Sequence, residues 1–253
     1  MTRSIRTALF ASTLLAGASL IPAQAAASDT TVVLVHGAFA DGSSWQKVIP
    51  LLQAKGVNVV AVQNPLSSLA DDAAVTRRII AAQSGKVVLV GHSWGGAVIS
   101  EAGTSDKVKA LVYVAAFAPQ VGEAVGALGK EYGPSVGVAS LQADSAGYLS
   151  LPAASVAANF AQDVSAAEQR LIAATQGPIH SKAFGEPLSA AAWTSKPSYY
   201  IVASKDRMIQ PALQQDFAKR MQAKVTTLSS SHVPMLSQPK QVAEVILAAV
   251  RQP

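Results

Sequence analysis

Val87-Val88-Leu89-Val90-Gly91-His92-Ser93-Trp94-Gly95-Gly96 decides the fold of this chain. An apolar run stops at a glycine, a serine stands two positions on, and two more glycines lead into a helix-like segment from Ala97 to Ala102. The reading is strand, sharp turn, helix, with Ser93 at the apex. Gly91-x-Ser93-x-Gly95 is the pattern of a nucleophile elbow. The apex residue of so tight a turn sits in strained backbone space. Side chains two positions to either side collide, so glycine is required there. The helix that follows points its free N–H groups and the positive end of its dipole at the same spot.

The flanking sequence repeats the strand-then-helix rhythm. Thr31 to Val35 is a continuous β-branched run ending at His36-Gly37-Ala38-Phe39, and Gly42-Ser43-Ser44 starts a helix through Trp45, Val48, Leu51 and Leu52 that stops near Gly56. Val57 to Val62 reads as a strand, and Asp71 and Asp72 open a helix with Val75, Ile79 and Ile80 on its apolar face. Val108 to Ala115 is a further strand. Ser198 to Ala203 ends at Ser204-Lys205-Asp206, a helix follows Pro211, and Lys224 to Leu228 ends at Ser231-His232 before a last helix from Gln238 to Ala249. Six strands alternating with helices imply a parallel sheet covered on both faces. From about residue 117 to 192 the alternation stops, and only short amphipathic pieces such as Ala153 to Phe160 and Ser165 to Ala174 remain. This stretch reads as a cap inserted over the carboxyl edge of the sheet, where such sheets bind ligands. Tyr132, Tyr148, His180 and Trp193 are its candidates for a pocket wall, with Phe39 and Phe117 from the loops beside the elbow.

Composition narrows the class. The chain has 253 residues, half of them hydrophobic, and no cysteine, which suits one α/β domain and forbids disulfides and cysteine-ligated metals. Four histidines (His36, His92, His180 and His232) lack zinc-like spacing, so no structural metal is expected. Arg3 and Arg6, the apolar run Ala8 to Ile21 and Ala23-Gln24-Ala25 make a secretory signal peptide within residues 1–27, cleaved after Ala25 or Ala27. The apolar run is too short for a comfortable membrane span, so an exported protein, periplasmic or secreted, with no membrane association after cleavage is expected. Loss of the two arginines reduces the net charge from +5 to about +3. With no basic cluster, that charge reads as solvated surface rather than a nucleic-acid site.

A serine hydroxyl needs a base within hydrogen-bond reach and a third group to orient that base. Three carboxyl-edge loops offer Ser93, Asp206 and His232, in the chain order nucleophile, acid, histidine. Asp163 and Asp216 compete with Asp206, but neither follows a strand directly. An oxyanion hole completes the set, with the Trp94 N–H as one donor and the Ala38 N–H, in the loop after His36-Gly37, as the other. His92 and His36 read as packing and bracing residues.

These residues resemble the α/β-hydrolase superfamily. Val35-His36-Gly37-Ala38-Phe39-Ala40-Asp41-Gly42-Ser43-Ser44-Trp45 and Leu111-Val112-Tyr113-Val114-Ala115-Ala116-Phe117-Ala118-Pro119 are similar to a bacterial carboxylesterase- or pyrethroid-hydrolase-like branch, itself similar to the plant methylesterase and hydroxynitrile lyase group. The resemblance implies about six mostly parallel strands, helices on both faces and a helical cap insertion over about residues 118–192. It also implies hydrolysis of small-molecule carboxylic esters without a cofactor. Lyases of that group carry threonine and lysine where this chain has Gly37 and Val233, so the resemblance points to the esterases. The apolar residues beside the elbow favour small to medium apolar esters over charged ones. A ligand-binding member of the superfamily and a cofactor-free perhydrolase remain as alternatives. The sequence leaves the oligomeric state open.

Overall fold

The computed structural model describes residues 29–252, so the expected signal peptide over residues 1–27 lies outside the described residues. The core strands are β1 (Thr30–Val35), β2 (Asn58–Ala61), β3 (Lys86–His92) and β4 (Val108–Val114). The small strands β5 (Gln142–Ala143), β6 (Tyr148–Ser150) and β7 (Ile179–His180) come next, and then β8 (Ser198–Ala203) and β9 (Lys224–Leu228). The helices are α1 (Ile49–Gln53), α2 (Leu69–Ala82), α3 (Trp94–Ala102), α4 (Ala153–Ser155), α5 (Ala166–Thr175), α6 (Pro211–Arg220), α7 (Pro234–Ser237) and α8 (Pro239–Arg251).

Six strands form one sheet in the order β2-β1-β3-β4-β8-β9, and every pairing in it is parallel. The continuous apolar runs of β1, β3, β4 and β8 are buried because helices cover both faces. Helices α2 and α3 pack together on one side, while α8 lies against β3, β4, β8 and α1. The chain moves outward from β1 to β2 and then returns to place β3 on the other flank of β1. The loops leaving β1 and β3 therefore diverge. Their parting opens the crevice in which open α/β sheets bind ligands.

One helix expected as a single run is broken. The segment after β1 is a short 3₁₀ turn, Gly42–Trp45, followed by α1, with Pro50 near the start of that helix. The last helix runs unbroken as expected, and Pro239 starts it after the separate short α7, because proline donates no N–H to a continuing helix.

The insertion between β4 and β8 corrects the expectation of a helical cap. It is mixed, with β5, β6 and β7 forming a small antiparallel sheet beside α5. Helix α5 starts with a capping box, in which Ser165 accepts the Glu168 N–H and the Glu168 carboxylate accepts the Ser165 N–H. Elements of two or three residues carry no readable period, so these strands leave no signature in the sequence.

Candidate active site

The elbow is held open by backbone alone. Ser93 has φ 53° and ψ −120°, a conformation that side chains rarely adopt. Its N–H donates to the Val114 carbonyl at 3.2 Å, and its carbonyl accepts the Phe117 N–H at 3.1 Å. The exit of β4 thus clamps the strained residue from both sides. The glycines are required by close approach. A Cβ on Gly91 would stand 2.5 Å from the Gly95 oxygen, and one on Gly95 would stand 2.5 Å from the Val35 oxygen. Gly37 meets the same limit, since a Cβ there would lie 2.7 Å from Cβ of Ser93. The threonine of the lyase pattern has no room here without a shift of the backbone. Val233, where the lyases carry lysine, is buried and lies off the cavity wall.

Asp206 and His232 meet beside the elbow. His232 Nδ1 lies 2.7 Å from Asp206 Oδ2, and both side chains are buried. Asp206 Oδ1 accepts the N–H groups of Met208 (2.7 Å) and Ile209 (3.1 Å), which turn the carboxylate toward the histidine. Of the competing acids, Asp163 accepts the Ser231 N–H at 2.7 Å and Asp216 accepts the Tyr132 hydroxyl. Asp163 thereby ties the inserted segment to the loop that carries His232.

The two other buried histidines brace the frame. Burial above all lowers the proton affinity of His36. Its Nδ1 donates to the Gly37 carbonyl, and its Nε2 accepts the Asn64 N–H at 2.9 Å, locking the loop after β1 to the end of β2. Burial, reinforced by His232, holds the pKa of His92 well below the ordinary histidine value. Its neutral ring donates from Nε2 to the His232 carbonyl at 2.8 Å, and Phe160 packs edge-on against both rings.

Ser93 and His232 line a single cavity of about 510 Å³. Ala38 and Trp94 line it too, and Trp94 opens α3, where the first N–H groups have no acceptor within the helix. The Trp94 indole donates to Asp72 Oδ2 at 2.8 Å, a contact with no trace in the local sequence. Phe39 and Phe117 stand on the cavity wall as expected from their loops. Four expected wall residues, Tyr132, Tyr148, His180 and Trp193, do not. Tyr132 is drawn to Asp216 on α6 by its hydroxyl. His180 pairs with Tyr148 across β6 and β7, and strand alternation turns Leu149 inward instead. Trp193 donates its indole N–H to the Pro119 carbonyl at the base of the insertion, beneath Arg220. The wall uses Val125, Leu128, Leu141, Phe184 and Met208 in their place. Met208 had a signal, because it follows Asp206 by two residues on the carboxyl edge. Among the described residues, Lys130 is the one charged residue on the wall, and no carboxylate lines it.

Comparison with known proteins places this geometry. Residues 32–245 match the alpha/beta hydrolase family, and the chain belongs to that family. It is 29% identical over 241 residues to a probable hydrolase, R7, of a Phoma species, covering 85% of this chain and 96% of that one. It is also 29% identical over 247 residues to the pyrethroid hydrolase of Sphingobium wenxiniae, covering 86% of each chain. Among solved structures, a pyrethroid hydrolase from Sphingobium faniae superposes with a TM-score of 0.77 at 25% identity, over 88% of this chain and 98% of that one. Polyneuridine aldehyde esterase has the same fold, with a TM-score of 0.77 at 23% identity over 87% of this chain and 98% of that one.

Proposed function

We propose that this chain is a serine esterase that cleaves neutral, apolar carboxylic esters through an acyl-enzyme. Ser93 Oγ attacks the ester carbonyl. His232 takes the hydroxyl proton and passes it to the leaving alcohol, while Asp206 orients the imidazole and stabilises its cationic form. The Ala38 and Trp94 N–H groups receive the oxyanion, a contribution worth roughly 10² to 10³ in rate per donor. Water activated by His232 then releases the acid. The observation that carries this reading is the buried Asp206–His232 contact at 2.7 Å, with His232 and Ser93 sharing one apolar cavity wall. The likeness to a pyrethroid hydrolase supports the same class of reaction.

Export is part of the proposal. It rests on the basic start at Arg3 and Arg6, the short apolar run and Ala23-Gln24-Ala25.

A fluorophosphonate probe tests the chemistry. The native chain takes up the probe at Ser93 and turns over p-nitrophenyl esters, and Ser93→Ala loses both activities. Residual ester turnover in a folded Ser93→Ala protein would refute the assignment.

A further inference from the structure

Gln214 lies on α6, fully buried, behind the acid that faces His232. Its Oε1 accepts the Ala203 N–H at the end of β8 at 2.9 Å. Its Nε2 donates to Asp206 Oδ2 at 2.7 Å and to the Ile209 carbonyl at 2.8 Å. The Asp206 oxygen that it reaches is the one that meets His232 Nδ1. Oδ1 is already occupied by the Met208 and Ile209 N–H groups. One carboxylate oxygen therefore serves both the imidazole and a buried amide.

We propose that Gln214 is a positioning residue that sets the aim of Asp206 and limits its pull on the His232 proton. The proposal rests on the serine-esterase reading. An amide N–H directed at a carboxylate stabilises its charge and so weakens what that oxygen offers a second donor. His232 then holds the proton from Ser93 less firmly and releases it to the leaving alcohol more readily. The Ala203 bond anchors the amide to the end of the sheet, so the carboxylate points in one direction through the cycle. A glutamine that merely filled the core would affect stability and leave proton transfer alone.

The test is kcat/KM against pH for a neutral p-nitrophenyl ester, with the full chain, Gln214→Met and Gln214→Leu. Methionine keeps the length and removes the donor, and leucine removes the donor from a shorter side chain. The acid limb moves upward by about half to one pH unit in both variants. Plateau kcat falls roughly tenfold in both while KM changes little, as expected for an interaction used in the chemical step. An acid limb that stays in place or moves downward in a folded variant overturns the proposal. If Gln214→Met does not fold, Gln214→Leu decides alone. Ester turnover by the native chain that survives Ser93→Ala overturns the underlying reading as well. A Ser93-dependent enzyme with an unmoved limb overturns the role of Gln214 only.

Discussion

Asp72 is a carboxylate that the fold has taken out of water. It is buried in the first turn of α2, where Oδ1 accepts the Leu66 N–H and Oδ2 accepts the Trp94 indole N–H, each at 2.8 Å. Burial lifts its pKa to about 6, against the pull of those two bonds, and Asp71 and Glu186 nearby add to the lift. The folded chain therefore binds this proton more tightly than the unfolded chain, whose carboxyl titrates at 3.8. Stability contributed here falls as pH rises from about 4 to 6, by at most about 3 kcal/mol. His36 and His92 act in the opposite sense. Their lowered proton affinity favours the folded chain above pH 6.5 and weakens it as pH falls. Asp72→Asn isolates the carboxylate. The unfolding free energy of the native chain minus that of the variant is expected to decline between about pH 4 and 6 and to be level above. A level difference throughout, measured by urea titration, would sink the argument. The contrast with the proposed triad explains what a sequence can disclose. Ser93, Asp206 and His232 stand out because each lies on the loop or turn that leaves a strand. Asp72 and Gln214 act on partners 22 and 8 positions away, through contacts that exist only once helices have packed.

The six core strands were readable to within two residues, the four central ones because burial on both faces leaves long apolar runs. The inserted segment was not, since its pieces are too short for a period and its shape is set by contacts with the core. Those contacts are specific. Glu186 accepts the Leu69 and Ala70 N–H groups, so the insertion caps α2 with a carboxylate. Arg220 on α6 grips Glu123 with both terminal nitrogens and also donates to the Ala118 carbonyl. Glu101 on α3 is buried and accepts from the Ser189 N–H, the Ser189 hydroxyl and the Ala190 N–H while pairing with Arg77. Glu101→Ala strands two backbone donors at the end of the insertion. It should cost about 2 to 3 kcal/mol of unfolding free energy. A loss below about 0.5 kcal/mol in chemical denaturation, the size of an ordinary surface substitution, would show that the anchor is idle.

The whole molecule presents the ester-cleaving machinery at the floor of an apolar chamber whose roof comes from the insertion. With about 510 Å³ and no carboxylate on the wall, the chamber suits a neutral ester with hydrophobic arms. Desolvating a cationic arm that meets no carboxylate is costly, so kcat/KM for a neutral p-nitrophenyl ester should exceed that for a cationic ester of equal length by roughly 10². Equal values for the two would contradict an apolar chamber as the source of selectivity. The roof also divides the chemistry along the chain. The insertion separates β4 from β8, so the serine belongs to the first half of the polypeptide and the acid and histidine to the second. The halves join where Leu111 to Val114 pair with Ser198 to Ile201. Neither half alone holds both a nucleophile and a base. Hydrolysis is thus a coincidence signal for that seam. A chain nicked within its roof would fall silent when the fragments part and regain its voice when they reassemble.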